Sequence, residues 1–203
     1  MSLSYHWHEL QRQLEKIRIP NAIHKKFVPE KELFELMTRE IISNVVEQIQ
    51  PHYHIQEIQE LINFILRGAR KVFAVLVLSN QPAHIKNFVR RDQLQPRHVD
   101  DLLPFEKPEL LKILPDDYSA TLFYDRQWEF SVPVFSGNII PRDLADQTIL
   151  PFLTDTPFTE GGYASVYKIM IHPSHQPHTY GPNAVVSYRH EIRQGSLLST
   201  NSS

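Results

Sequence analysis

The chain has 203 residues, a net charge of −2 with neutral histidines, 41% apolar and 22% charged side chains, and no cysteine. A balance this close to neutral supplies no field to steer the chain to nucleic acid or to an anionic membrane. The missing thiols exclude disulfides, cysteine-based zinc ribbons and thiol catalysis. The composition is that of a globular protein with room for one sizeable domain or two small ones. MSLSYHWHELQRQLEK lacks the apolar core of a secretory signal, so an intracellular, cytoplasmic protein is expected.

Trp7, Leu10, Leu14 and Ile17 recur at helical spacing and predict a first helix over 5–17, stopped near Pro20. Pro29 suits a helix's first turn. Behind it Leu33, Met37, Ile41, Val45 and Ile49 repeat every four residues, widened by Phe34, Ile42 and Val46. Glu30 and Glu32 favour the positive helix start, and one helix running to Pro51 is predicted. A third begins near Ile55, with Ile58, Leu61, Ile62, Ile65 and Leu66 inward. Gly68 interrupts it. The run VFAVLVL, Val72 to Leu78, fits a buried helix or a central strand, and its helical neighbours favour helix. It is too short to cross a bilayer, which takes about 20 helical residues. Asn80 to Pro82 breaks the pattern, and PAHIKNFVRR predicts a short helix with Ile85, Phe88 and Val89 inward.

Eight prolines fall between residues 96 and 157. DDLLPFEKPELLKIL predicts a turn and a short helix from Pro108. In ATLFYDRQWEFSVPVFSG, aromatic and β-branched residues replace helical spacing. Leu122, Tyr124, Phe130, Val132 and Val134 predict one or two strands, with Pro133 at an edge or bulge. IIPRDLADQTILPFL reads as a connector, and the polar tail RQGSLLSTNSS predicts disorder. The fold class expected is α+β. A helical region spans 1–115, a Pro-rich strand-bearing connector 116–150, a further strand-bearing unit 151–190 and a disordered tail 191–203.

The stretch FTEGGYASVYKIMIHPSH, residues 158–175, carries the chemistry. A kinase glycine-rich loop lays its backbone over nucleotide phosphates in the pattern G-x-G-x-x-G-x-V. On this chain the pattern falls on Thr159, Glu160, Gly161, Gly162, Tyr163, Ala164, Ser165 and Val166. Gly161 keeps the middle glycine, while Thr159 and Ala164 replace the outer two. Tyr163 takes the aromatic tip, and Val166 the place that caps an adenine. A plain hairpin turned by Glu160, Gly161 and Gly162 is the other reading of these residues.

Together with LPF (150–152), KVFAVLVL, DDLLPF and QWEFSVPVF, this stretch makes residues 30–180 resemble fungal protein kinase-like proteins. Those place a helical region before a serine/threonine kinase domain. The resemblance implies a partial kinase N-lobe in 151–190, with a first strand near Leu153 to Glu160 and SVYKIMIHP as the second. It implies ATP and Mg as ligands, with residues Thr159 to Val166 at the nucleotide. Ala184, Val185 and Val186 would form the third strand. Ser187 then stands where a kinase has its phosphate-holding lysine, Lys168 belongs to the preceding strand, and Arg189 lies two residues on. H-R-D and D-F-G do not occur. The expectation is a truncated kinase-like chain with no catalytic residue, binding neither ATP nor Mg. The alternative is a helical interaction module over 5–91, meeting a protein partner through the stripe from Leu33 to Ile49.

Other clusters carry less. His172, His175 and His178 are spaced three apart, but Pro173 and Pro177 prevent the helix that would gather them on a metal. The pairs His6/His8 and His52/His54 are expected at solvent-facing caps and turns, and Asp116, Asp117, Glu106 and Glu109 on a solvated face. Lys25-Lys26 and Arg90-Arg91 are too short for a nucleic-acid site.

Overall fold

The computed structural model describes residues 6–92, 98–135, 144–161, 164–176 and 185–190, with the backbone alone at 90–92, 157–167 and 185–190. The class is α+β. Among the described residues eight α-helices form the body and two small antiparallel sheets lie beside it.

The helices are α1 (His6–Ile17), α2 (Glu30–Leu36), α3 (Arg39–Ile49), α4 (Ile55–Gly68), α5 (Arg70–Leu78), α6 (Lys86–Asp92), α7 (Lys107–Ile113) and α8 (Asp117–Gln127). At the centre lies α5. Every residue from Val72 to Leu78 is buried, under α1, α2, α4 and α8. Enclosure on all sides removes the usual periodicity. It also lets a valine-rich segment stay helical, because packing outweighs a weak propensity. Among the described residues no helix is long and apolar enough to cross a membrane.

A helix start buried this deeply needs partners for its free amides. Ala69, at the N-cap, has none to give. Asp100 supplies them from a 3₁₀ turn, Val99–Leu102. Its Oδ2 accepts from the Lys71 amide at 3.0 Å and its Oδ1 from the Val72 amide at 2.9 Å. Burial pushes the Asp100 carboxyl above its ordinary range, opposed by these amide bonds and by the charge of Lys71. Gly68 makes the approach possible, since a Cβ there would collide with the His98 side chain.

Two expectations need correction. The helix predicted from Pro29 to Gln50 is two helices, because Met37 leaves helical geometry and the Thr38 hydroxyl accepts from the Ile41 amide to start α3. Both pieces still serve one core, with Leu33, Met37, Ile42, Val45 and Val46 buried. The strands predicted through Leu122 and Tyr124 are instead α8. There Asp116 caps the start, its Oδ1 accepting from the Ser119 amide at 2.7 Å, and Ala120, Phe123 and Gln127 line the inward face. Phe130, Val132 and Val134 follow in chain outside any strand. Helical structure thus runs past residue 115, to Gln127.

Gln127 is fully buried, with Nε2 donating to the Phe105 carbonyl at 2.9 Å and Oε1 accepting from its amide at 2.7 Å. Phe105 joins Phe88 and Phe123 in an aromatic cluster.

The first sheet pairs β1 (Ile19–Pro20) with β2 (Lys26–Phe27). The second has the order β3 (Phe152–Gly161), β4 (Ala164–Ile171), β5 (Val185–His190), antiparallel throughout. Asn21 joins the two. Its Oδ1 accepts from the Ile23 and Lys25 amides, and its Nδ2 donates to the Leu150 carbonyl at 3.0 Å. Phe27, Trp128, Val132 and Ile149 form a second small core there, with Leu153 packed on it. Arg18 closes its edge, Nη2 donating to Glu129 Oε1 at 2.8 Å. The expected tail 191–203 and part of the connector, 136–143, lie outside the described residues.

Asp100→Ala leaves two amides of α5 without acceptors and is expected to cost about 2 kcal/mol in urea unfolding. Asp100→Asn, which keeps one acceptor oxygen, should lose roughly half as much.

Candidate functional site

The hairpin β3–β4 carries the residues of the loop pattern. Gly161 pairs with Ala164 at its end, Glu160 with Ser165 and Thr159 with Val166. Thr159, Glu160 and Gly161 therefore end β3, and Ala164, Ser165 and Val166 begin β4. Gly162 and Tyr163, between them, lie outside the described residues. A register shift between Pro157 and Thr159 puts a bulge in β3. Since β3 is an edge strand, a proline is tolerated in it.

On the other side of β4 the register sets Val166 opposite Arg189, Lys168 opposite Ser187 and Met170 opposite Val185. The expected third strand around Ala184 to Val186 is thus met by β5, which starts at Val185, with Ala184 outside the described residues. Side chains alternate along a strand. Ile169 and Ile171 of β4 are buried, whereas Lys168 is exposed. The sheet therefore has an inward, buried face and an outward face. The positions of Val166, Lys168, Ser187 and Arg189 share the outward one.

After β4 the chain turns through a 3₁₀ segment, Pro173–His175, that packs against α2. Here the histidines act as fasteners. The His172 amide donates to the Pro151 carbonyl at 2.9 Å, and its Nδ1 lies 2.8 Å from Ser174 Oγ. His175 is 2% exposed, with Nδ1 at 3.2 Å from the Pro133 carbonyl. A carbonyl only accepts, so Nδ1 carries the proton and Nε2 is a bare lone pair. The Phe135 amide donates to the His175 carbonyl at 2.8 Å, and the Phe27 ring meets both imidazoles edge-on.

Burial drives His175 down to about 4, against the hydrogen bond it donates to the Pro133 carbonyl, with His172 and Lys71 pushing the same way as burial and Glu30 opposing. Burial lowers His172 too, against the charge of Glu32. Lys71 Nζ lies 2.6 Å from Glu30 Oε1, tying α5 to the same end of α2. His178 lies outside the described residues, and among those described no trio of His, Asp or Glu can hold a metal.

Several of the carboxylates paired in the sequence, and one of the histidines, turn out to cap helices. Glu106 and Glu109 form a capping box on α7, His54 and Glu57 one on α4, and Asp116 caps α8. His6 and His8 lie on α1, and His52 sits exposed in the turn before α4. Sequence reasoning missed the cap from Asp100, the bracket from Gln127 and the burial of His175. Pro173 after His172 was the one local signal for the last, since it marks a tight turn.

For the implied ligands the fit is divided. On the outward face Lys168 is an exposed cation that a phosphate can use. Magnesium finds no group of three or more His, Asp or Glu among the described residues. No protein-family model, curated protein or solved structure matches the chain.

His175 is neutral when folded and has an ordinary pKa of about 6.5 when unfolded. The unfolded chain therefore binds the extra proton between about pH 6.5 and 4, and folding stability falls with pH across that window. The loss reaches on the order of 3 kcal/mol at the acid end. Urea unfolding of wild type against His175→Phe checks it: the difference in slope over this window belongs to His175, and parallel slopes refute the assignment.

Proposed function

We propose that the chain is a kinase-like protein in which a helical scaffold carries the opening three strands of a nucleotide-binding lobe, and that these 203 residues alone transfer no phosphate. The observation that carries this reading is the β3–β4–β5 meander. Its hairpin closes on Gly161 and Ala164, and Val166 follows on β4 two residues later. The strand starts, Phe152, Ala164 and Val185, fall where the kinase-like resemblance calls for a first, second and third strand.

The non-catalytic part rests on chemistry. Phosphoryl transfer needs a carboxylate to take the acceptor's proton and side chains that hold magnesium against the phosphates. The H-R-D and D-F-G segments that bring those groups are absent from these residues. The reading as a helical interaction module draws less support. The stripe proposed to meet a partner is largely spent on the chain's own core, where Leu33, Met37, Val45 and Val46 are buried.

Purified chain given ATP labelled at the γ-phosphate and a general protein acceptor is expected to transfer no label above a blank. Transfer that survives repeated purification overturns the non-catalytic reading. The lobe itself is tested by Ser187→Lys, which restores a third-strand ammonium. That variant is expected to bind ATP, seen as a rise in Tm, and no rise removes the lobe from consideration.

A further inference from the structure

We infer that Lys168, on the second strand of the meander, is the cation of a polyphosphate site on the outward face of the sheet, standing in for the lysine that Ser187 replaces. This rests on the kinase-like reading of the lobe and goes beyond it, because the linear pattern gives Lys168 no role.

The register is the first ground. Lys168 stands directly opposite Ser187. Opposed residues of an antiparallel pair share a face and lie about 5 Å apart at Cα. A lysine moved across one ladder therefore keeps its side of the sheet and shifts by one strand spacing, which its flexible four-carbon stem can absorb. Alternation is the second ground. Val166, in the adenine-capping place of the loop pattern, precedes Lys168 by two residues on one regular strand, so both belong to the same face. The β3 irregularities leave this relation intact, since they put the extra residues in β3 and not in β4.

Availability is the third ground. Lys168 is exposed, and none of the ion pairs of the described residues involves its side chain. Other lysines nearer the core are engaged: Lys71 with Glu30, and Lys107 with Asp117 at 3.3 Å. Its strand neighbours Ile169 and Ile171 are buried at 4% each, so the strand is held from its inward side while the ammonium faces water. An ammonium so placed recognises phosphate as a point charge and needs no planar fork. The ligand class is a nucleoside triphosphate held through its phosphates.

Isothermal titration of the full chain with ATP, without divalent metal, tests the assignment. Wild type is expected to bind. Lys168→Ala should bind about tenfold more weakly or worse, the loss expected of one charge-assisted contact, with Tm unchanged because the side chain is exposed. Lys112→Ala, which removes the same charge from an exposed place on α7, should bind as wild type does. If wild type and Lys168→Ala bind alike, or if Lys112→Ala weakens binding as much, the inference is overturned. If wild type fails to bind while Ser187→Lys binds, Lys168 has no such role and the lobe reading survives. If neither binds, both fall.

Discussion

The buried start of α5 is the constraint from which the rest of the body follows. A helix enclosed on every side loses water as a partner for its first amides, and Ala69 has no side-chain acceptor. Asp100 meets the need from 29 residues beyond Lys71. That fixes the path of the chain between α4 and α7: it must return past the C-terminal end of α4, close enough that only glycine fits at position 68. The cap, the glycine and the 3₁₀ turn are one device. Burying the carboxylate is unfavourable in itself, and the amides and Lys71 are what make it tolerable.

From that end of α5 the contacts lead outward to the sheet. Lys71 reaches Glu30 at the start of α2, and α2 follows directly on Phe27 and Val28. Phe27 lies against His172 and His175, which close the end of β4. The Val28 amide donates to the Glu129 carbonyl, bringing in the end of α8. The meander is therefore seated on the body through one of its ends and its inward face. A hairpin alone buries too little to be stable in water, and this seating supplies the missing burial.

Much of the helical body was legible because its apolar residues keep a period. Trp7 to Ile17 and Ile58 to Leu66 are such cases. The failures have physical causes. In α8 two of the inward positions, Ser119 and Gln127, are polar and satisfied by hydrogen bonds, so the stripe is erased from a hydropathy pattern while aromatic neighbours mimic a strand. At Thr38 the four-residue repeat runs straight through the break, because both α2 and α3 turn the same side to the core. Only the capping chemistry of a threonine hydroxyl distinguishes the join. The three strands of the meander were legible as segments, but their register was not. It depends on two irregularities in β3 and on where β5 enters, and neither has a signal in one dimension.

That missing register separates the two readings of Lys168. Along the chain the residue precedes by one strand the place where the proposed lobe would carry a lysine. Across the sheet it is level with Ser187. A period of two assigns alternate residues of β4 to different work. Ile169 and Ile171 are buried and hold the strand, while Lys168, in the alternate set, is exposed. Charge at Lys168 can then change without disturbing the packing that seats the sheet, because that side chain is exposed. An ammonium placed on the inward face would instead be buried without a partner and unseat the sheet. The fold thus accommodates an ammonium on the exposed face of β4 and not on the buried one.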